Sequence, residues 1–313
     1  MKIASFFAGV GGIELGFKQF QTIYANEIDS RAVLTYEKNL DTKVDCKDIL
    51  SVNEKKLPDF DILLGGFPCQ AFSIAGYQLG FNDSRGNMFF ELIRIIKEKK
   101  PKIIFLENVK NLVSHDKGKT FLIMLDELKR LGYFIKYQVL NSMEYGNTPQ
   151  NRERIYIVGF KNKREYEKFS FPDPIPLTQK IQDIVNYEKK VDDKYYYSQD
   201  NFKHWKLLKS AVVKPNTLYQ WRRQYVRENK SNVCPTLTAN MGTGGHNVPI
   251  VLTKYGIRKL TPKECFLFQG FPKDYVLPNI ADSHLYKQAG NSVCVEVIKR
   301  IAENIEKACV KKS

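Results

Sequence analysis

The sequence has 313 residues, of which 43% are hydrophobic and 27% charged, so it can bury the cores of one large and one smaller domain. Lysine and arginine total 49 against 34 acidic residues, a formal net charge of +15. This surplus favours a polyanionic partner, nucleic acid before membrane, although a solvated basic surface would give the same total. No run of about 18 apolar residues is present, so we predict no transmembrane helix.

The six cysteines argue against two kinds of site. No pair has the CxxC spacing of a zinc site, and no histidine cluster accompanies them. Their density is too low for a disulfide scaffold in a chain of this length. We therefore expect a reduced, cytoplasmic protein that holds no metal.

Short apolar runs alternate with amphipathic segments through the first half of the chain. Several of these runs are apolar at every position, as in strands buried on both faces of a sheet. Alternation of strands and helices predicts an α/β fold with a doubly wound, mostly parallel sheet. The predicted strands cover 2–7, 22–27, 61–66, 102–108, 134–141 and 154–160, and the predicted helices cover 12–20, 30–40, 88–99 and 119–131.

The character of the sequence changes after residue 160. Residues 161–235 are charged, aromatic and interrupted by prolines, without a sustained period, which predicts a separate loop-rich module. A glycine-dense stretch follows at 239–249. A short helix is then expected after Thr261, with proline at its first position, and a terminal amphipathic helix over about 292–308.

The first predicted strand runs into a glycine-rich turn, "FFAGVGG" (6–12). Glycines at this point let the backbone approach a ligand closely. The dinucleotide fingerprint would need a third glycine where the chain has Glu14, so a nicotinamide cofactor is disfavoured. Glu27 closes the second strand and Asp48 lies near a third, positions suited to ribose hydroxyls and an adenine amino group. The pattern favours a nucleoside cofactor that carries little phosphate.

"DILLGGFPCQAFS" (61–73) places Cys69 where a buried strand ends. Ligands bind at the carboxyl ends of strands in open α/β sheets. Most cysteines are buried core residues, but Gly65, Gly66 and Pro68 shape a loop here, and a thiol on a loop can meet a substrate. Cys69 is therefore a candidate nucleophile.

Two further segments carry groups suited to acid and anion chemistry. Glu107 follows four apolar residues in "FLENV", so we expect burial to raise its pKa and let it donate a proton or hydrogen bond, unless it is a solvated strand-end acid. In "PQNRERIYIVG", Arg152 and Arg154 are spaced by two before a strand. Strand alternation predicts that both point to one side and converge on one anion or carbonyl.

Taken in order, these segments resemble the cytosine-5 DNA methyltransferases of bacterial type. The resemblance is distributed over nearly the whole chain, and only about 161–230 lacks a counterpart. It is carried by "FFAGVGG" (6–12), "NEID" (26–29), "DI" (48–49), "GGFPCQAFS" (65–73), "DSRGNMFFE" (83–91), "ENV" (107–109), "PQNRERIYIVG" (149–159), "PTLTANMGTGG" (235–245), "RKLTPKECFLFQGFP" (258–272) and "YKQAGNSV" (286–293).

The resemblance implies a reaction and a role for each catalytic residue. Cys69 would be the nucleophile, and Glu107 would engage N3 and the exocyclic amine of cytosine. Arg154 would hold the O2 atom of the ring, while Arg152 would bind a phosphate and help to organise the thiolate. A methyl group would pass from S-adenosyl-L-methionine to cytosine C5 in a base flipped out of duplex DNA. No metal takes part.

The resemblance also implies two sets of binding residues. The cofactor would be bound by Phe7, Gly9, Gly11, Glu27, Ile28, Asp48, Ile49, Pro68, Met88, Asn291, Ser292 and Val293. Contacts to DNA are expected from Gln70, Ser73, Arg85, Gln150, Arg222, Arg223, Arg227 and Thr236, among which arginine suits bidentate contact to guanine. A loop over 70–88 would close over the flipped base.

The same resemblance implies a domain division and a set of partners. Residues 1–163 with 287–313 would form a Rossmann-like catalytic and cofactor domain. Residues 164–286 would form a smaller target-recognition domain, variable over about 164–235. The partner would be double-stranded DNA, with no membrane. A restriction endonuclease acting on the same site without direct contact is a further possible partner, and we expect a monomer.

The chain departs from the family pattern at two positions. Ser5 stands where the family usually has an acid, and Phe67 stands where it usually has proline.

Three other functions compete with this interpretation. A tRNA cytosine-5 methyltransferase would use the same scaffold, and the large insert and net charge favour DNA over tRNA as the substrate. A catalytically silent DNA-binding protein is disfavoured by the intact Cys69, Glu107 and Arg154. A nicotinamide oxidoreductase is disfavoured by Glu14.

Overall fold

A computed structural model describes residues 1–68, 88–222, 224–242 and 248–310 of the chain, which divide into two units. The first unit is Met1–Leu140, Glu153–Pro172 and Ile298–Ser313, and the second is Asn141–Arg152 and Asp173–Val297. The predicted division placed 141–152 and 287–297 in the first domain. In the structure, 141–152 is hydrogen-bonded within the second unit, where Asn151 N–H donates to Cys234 O over 2.8 Å.

A seven-stranded sheet forms the centre of the first unit. Its order is β3-β2-β1-β4-β5-β7-β6, in which β1 to β5 pair in parallel and β7 runs antiparallel to β5. The predicted α/β class with a mostly parallel sheet is confirmed. The strands are β1 Lys2–Phe6, β2 Gln21–Glu27, β3 Val44–Cys46, β4 Ile62–Gly65, β5 Ile103–Val109, β6 Phe134–Asn141 and β7 Glu153–Phe160.

Ten α-helices are present among the described residues. Two of them, over 88–99 and 119–130, each turn an apolar face inward and pack in the same core as the strands. The helices are α1 Gly12–Gly16, α2 Ser30–Tyr36, α3 Met88–Lys99, α4 Lys119–Arg130, α5 Ser142–Tyr145, α6 Lys163–Lys168, α7 Trp205–Ala211, α8 Pro262–Leu267, α9 Asp282–Asn291 and α10 Val295–Cys309.

The strand order reverses between β1 and β4, and this reversal locates a crevice. The chain leaves β1 toward β2 on one side and leaves β4 toward β5 on the other. Open parallel sheets bind ligands where strand order reverses, outside the carboxyl ends of the strands. The glycine-rich turn follows β1, and the turn at Gly65 and Gly66 ends β4. Both predicted ligand-binding turns therefore lie at the position that the topology favours.

The second unit holds a four-stranded antiparallel sheet of order β11-β10-β8-β9. Its strands are β8 Tyr219–Arg222, β9 Tyr225–Glu228, β10 Ile250–Thr253 and β11 Gly256–Lys259. Thr261 caps α8, and Glu264 completes a capping box with it. In the part of the chain that the structure describes, no helix combines the length and apolarity needed to cross a bilayer.

Candidate active site

The turn after β1 is held in an uncommon backbone conformation. Phe7 has φ 56°, in the left-handed region that non-glycine residues rarely adopt, and Gly9 and Gly11 have φ 56° and 79°. A Cβ atom added at Gly11 would lie 2.3 Å from Leu40 Cδ1 and 3.2 Å from the Tyr36 ring. Glycine is therefore favoured at position 11 by conformation, and a larger residue there would also displace the Leu40 side chain.

Glu27, at the end of β2, is fixed by two backbone donors. Its Oε2 accepts from Gly9 N–H at 2.9 Å, and its Oε1 accepts from Asp29 N–H at 2.9 Å. Each carboxylate oxygen can accept a further hydrogen bond, so the group can receive both hydroxyls of a ribose. Ile28 follows with 63% of its surface exposed, which leaves an apolar side chain beside the carboxylate.

The segment after β3 repeats this arrangement. Asp48 accepts from Leu50 N–H at 3.0 Å and begins a short 3₁₀-helix. Ile49 is 3% exposed and packs in the core, so its side chain is not available to a ligand and any contact must come from its backbone. Leu50, which the sequence analysis missed, is 47% exposed. An apolar residue next to a strand-end acid, as at Ile28, was the signal that could have found it.

Glu107 and Arg154 form an ion pair on neighbouring strands. Val109 and Arg154 are paired across β5 and β7, so Glu107 lies diagonally opposite Arg154 on the same face. Arg154 Nε lies 3.2 Å from Glu107 Oε1, and both side chains are largely buried. Burial favours the neutral acid whereas the guanidinium favours the carboxylate, so the two influences oppose each other. Glu107 and Arg154 thus lie together in the first unit.

The turn that leads to position 69 is tied to the strand that carries Glu107. Asn108 Nδ2 donates to Phe67 O at 2.9 Å, and Phe67 is buried with its ring centroid 5.8 Å from that of Phe89. A Cβ atom added at Gly66 would lie 3.8 Å from Glu107 Oε2. The Gly66 backbone, three residues before Cys69, therefore lies close to the Glu107 carboxyl group, and Phe67 is held by the neighbouring Asn108.

Residues 1–307 match the family model described as C-5 cytosine-specific DNA methylase. The chain belongs to this family. It is 59% identical to the Type II methyltransferase M.Bsp6I of Bacillus sp. (strain RFL6), over 98% of this chain and 99% of that one. It is 38% identical to the Type II methyltransferase M.HhaI of Haemophilus parahaemolyticus, over 97% and 94%.

Solved structures agree with the fold. A mutant of DNMT2 from Spodoptera frugiperda has a TM-score of 0.74 at 22% identity, covering 97% of this chain and 99% of that one. A putative DNA modification methyltransferase encoded in an E. coli prophage has a TM-score of 0.72 at 20% identity, with 98% and 99% covered. By its match to the family model, the protein is a DNA cytosine-5 methyltransferase.

Several predicted residues of this methyltransferase lie outside the described part of the chain. The predicted nucleophile, Cys69, follows directly after Pro68, which is the last described residue before position 88. The predicted loop over 70–88 falls there too, except for Met88, which begins α3 and packs against the core. The other predicted site residues that lie outside the described part are Gln70, Ser73, Arg85 and Arg223.

Arg152 has a different environment from the one predicted. It is 2% exposed and donates to Leu237 O at 3.0 Å, to Gly290 O at 3.1 Å and to Ser292 O. These carbonyls all belong to the second unit, whereas Arg154 is paired with Glu107 in the first. The structure therefore indicates that Arg152 joins backbone segments of the second unit, which does not support a phosphate-binding role.

Gln150 is likewise structural. It is 0% exposed, and its amide donates to Phe268 O at 2.6 Å while its Oε1 accepts from Leu237 N–H at 3.2 Å. Contact with DNA is not supported, because its donors and its acceptor already bind protein groups. Thr236, by contrast, is exposed, with its hydroxyl donating to Asn151 O at 2.6 Å.

The remaining cofactor residues belong to the second unit. Asn291 ends α9 and is exposed, whereas Ser292 and Val293 are buried. Their participation in the cofactor pocket stays a prediction.

Ser5, the departure from the family pattern, has a buried acid as its neighbour. Ser5 is 1% exposed in β1, and Glu14 in α1 is 4% exposed. The pKa of Glu14 is raised to about 7. Burial is the largest cause, the Ser5 side chain and a backbone N–H act against it, and the charge of Glu27 adds to it. A carboxyl group is thus present beside this strand end, contributed by the helix instead of the strand.

We expect Glu14→Gln to stabilise the protein increasingly as pH rises. When folding raises the pKa of a carboxyl group, stability is lost as pH rises from the unfolded pKa to the folded pKa. In that range the unfolded chain loses the proton and the folded chain keeps it, and above the folded pKa the folded chain ionises at the full cost of burial. For a shift from 4.5 to about 7, this cost develops between those two values and reaches about 3 kcal/mol above pH 7. The gain from Glu14→Gln at pH 8 should therefore exceed that at pH 5 by about 2 kcal/mol.

Scanning calorimetry of both proteins at the two pH values measures this difference. Glu98→Gln, at an exposed glutamate of α3, is the matched control and should show no such change. An equal gain at pH 5 and pH 8 would contradict the assignment of a buried, partly protonated Glu14.

Proposed function

We propose that the protein transfers a methyl group from S-adenosyl-L-methionine to C5 of a cytosine flipped out of a specific short sequence in duplex DNA, through a covalent bond between Cys69 and C6. The observation that carries this proposal is the closeness of two groups. The Gly66 backbone lies beside the Glu107 carboxyl, and that turn continues into Cys69. A nucleophile and an acid would thus act on one pyrimidine ring.

Cytosine C5 is a poor nucleophile by itself. The reaction therefore requires an enzyme thiolate that activates the ring by adding to C6. The Cys69 thiolate adds to C6, and the C5–C6 double bond becomes a single bond. Its electron pair forms a C4–C5 double bond while the C4–N3 pair moves to N3, which leaves an enamine whose C5 is electron-rich. The cofactor supplies a methyl group on a sulfonium, which C5 accepts as the methyl–sulfur bond breaks. A base then removes the C5 proton, and the thiolate leaves as the double bond forms again.

Glu107 would lower the barrier to the addition step. Charge develops on the ring as sulfur adds to C6, and a proton or a strong hydrogen bond at N3 absorbs it. Arg154 holds the Glu107 carboxyl at 3.2 Å and donates to Glu153 O at 2.8 Å. The guanidinium has five N–H donors, so others can reach the O2 atom of the same ring.

The strand ends β1 to β3 suit the nucleoside part of the cofactor. Glu27 would accept the ribose hydroxyls, and the exposed side chains of Ile28 and Leu50 would cover the faces of the adenine ring. Asp48, with the Ile49 backbone, would meet the adenine edge. The fit is supported by Gly9, where an added Cβ atom would point into open space, with Phe7 O at 4.0 Å as its nearest protein atom.

The target base lies inside the duplex, so it must leave the stack to reach Cys69. Flipping costs a few kcal/mol of stacking and pairing, which contacts to the rest of the DNA must offset. We propose that residues 70–88 close over the flipped base and that the enzyme acts as a monomer. A cognate endonuclease would then share its DNA site without touching it.

Covalent trapping tests the proposal. Methylation of plasmid DNA, followed by mapping of 5-methylcytosine, first identifies the target site. A duplex carrying 5-fluorocytosine at that position should then form a denaturant-resistant adduct with the protein only when S-adenosyl-L-methionine is present, because fluorine cannot leave as a proton does. The adduct should map to Cys69 by peptide mass, and Cys69→Ser should not form it.

Two outcomes would overturn the proposal. One is an adduct that maps to another residue or persists in Cys69→Ser. The other is methylation of tRNA but not of duplex DNA in a parallel labelling reaction, which would replace the proposed substrate.

A further inference from the structure

The segment that follows β3, residues 48–52, has few bonds of its own to hold it in place. β3 is a three-residue strand at the edge of the sheet, where it pairs with β2. The segment then forms a single turn of 3₁₀-helix over Ile49–Ser51, a type of helix with poorer hydrogen-bond geometry than the α-helix. Its position must therefore be set by bonds from other elements of the first unit.

Asn26 of β2 fixes the backbone up to the start of this segment. Asn26 is 2% exposed, and its Nδ2 donates to Asp45 O and to Lys47 O, each at 2.9 Å. These bonds end one residue before Asp48. The turn that carries Asp48 and Ile49 is held from the other side, by α3.

Arg94 of α3 bridges the two ends of the 3₁₀ turn. Its Nη2 donates to Ile49 O at 3.0 Å, and its Nη1 donates to Val52 O at 2.9 Å. The guanidinium is planar and its donors have a fixed geometry, so it sets both the spacing and the direction of the two carbonyls. A lysine could bind the segment to the helix but could not impose this geometry.

Two carboxylates hold the guanidinium of Arg94 in turn. Its Nε donates to Glu91 Oε2 at 2.9 Å, and its Nη1 is also paired with Glu54. The side chain of Arg94 is only 30% exposed, and those of Glu54 and Glu91 are 24% and 17% exposed. The guanidinium is therefore neutralised and fixed in its plane while it binds the segment.

The bond from Arg94 also determines which backbone group of Ile49 can meet a ligand. The Ile49 carbonyl accepts from Arg94 and from Val52 N–H, which is 3.1 Å away, so both of its lone pairs are used. Its N–H is the group that can face a base. Asp48, an acceptor, and the Ile49 N–H, a donor, match the amino group and the N1 acceptor of adenine. Hypoxanthine presents a carbonyl and an N–H there and mismatches both.

We propose that Arg94 is a positioning residue for cofactor selectivity. By bridging the Ile49 and Val52 carbonyls, it holds the Asp48 carboxylate and the Ile49 N–H in the arrangement that accepts adenine and rejects hypoxanthine. This inference rests on the proposed function, because it assumes that S-adenosyl-L-methionine binds at the ends of β1 to β3.

Calorimetric titration of S-adenosyl-L-homocysteine and S-inosyl-L-homocysteine tests this inference without turnover. The wild type should bind the adenosyl compound more tightly. Arg94→Met should bind the adenosyl compound about 10- to 100-fold more weakly, the equivalent of one charge-assisted hydrogen bond, and the inosyl compound as the wild type does. Arg94→Lys keeps the charge without the planar donors and should lose the same selectivity. In methylation assays, KM for S-adenosyl-L-methionine should rise while kcat at saturating cofactor stays near wild type.

Lys99→Met is the matched control for the loss of a bond between the same helix and the same connection. Lys99 of α3 donates to Leu57 O at 2.9 Å, beyond the segment that carries Asp48. This variant should keep the selectivity for adenine. Thermal unfolding of each variant shows that the titrations are made on folded protein.

Three outcomes would overturn the inference. They are equal binding of the two compounds by the wild type, wild-type selectivity in both Arg94 variants, and a loss of selectivity in Lys99→Met as large as in Arg94→Met. A wild type that binds neither compound would instead contradict the proposed function, because the cofactor itself would be wrong.

Discussion

Replacement of Glu107 by glutamine is expected to reduce kcat by about 10²- to 10⁴-fold, the usual contribution of a positioned acid. Glutamine has the same shape and can still accept from Arg154, so folding should be little affected. It cannot donate a proton to cytosine N3, so the charge that develops on addition of sulfur would lose its stabilisation. The loss should appear in the chemical step and not in the affinity for DNA.

Single-turnover methylation with DNA already bound measures that step directly. Glu153→Gln is the matched control, because Glu153 begins the adjacent strand β7 and its exposed carboxylate is paired with Lys110 at 2.8 Å. An exposed pair contributes about 1 kcal/mol or less, so this variant should remain near wild type. A Glu107→Gln enzyme within threefold of wild type would remove Glu107 from the chemistry.

The strands of the first unit were predictable wherever the local sequence carries the whole signal. "DILLGG" and "KIIFLEN" are apolar at successive positions because both of their faces are buried, and β4 and β5 form there. β3 is absent from the predicted strand ranges, although a third strand was expected near Asp48, because Val44–Cys46 has three residues and no apolar run. β3 forms because it pairs with β2, and the periodicity of a short segment does not reveal which other segment it pairs with.

Candidate site residues followed the same rule. Glu27 and Glu107 were predictable because a strand end is a local feature, and the topology brings strand ends to one edge of the sheet. The family resemblance assigned Arg152 to a phosphate and Gln150 to DNA, and spacing added only that Arg152 and Arg154 share one side of the chain. Spacing indicates the face on which a side chain lies, but not what covers that face. Here the covering segments include Leu237, far along the chain.

Loss of the Arg258 side chain is expected to destabilise the second unit by about 3–5 kcal/mol, the cost of leaving a buried charge unpaired. Arg258 is 0% exposed and donates to both Glu264 oxygens, at 2.8 and 2.7 Å. Glu264 also accepts from Thr261 N–H at 2.7 Å, so it links the ion pair to the cap of α8. Arg258→Met would leave this carboxylate buried without its cation.

Urea unfolding followed by tryptophan fluorescence isolates this effect, because both tryptophans of the chain, Trp205 and Trp221, lie in the second unit. Lys214→Met breaks the exposed pair with Glu228 and is the matched control, with an expected loss of about 1 kcal/mol or less. Adding Glu264→Gln to Arg258→Met removes the unpaired charge and should recover part of the loss. The contrary outcome is a double variant whose free energy of unfolding is lower than that of Arg258→Met by the full cost of a second independent change. In that case the capping bonds of Glu264 matter more than its ion pair, and burial of an unpaired charge is not the cause of the destabilisation.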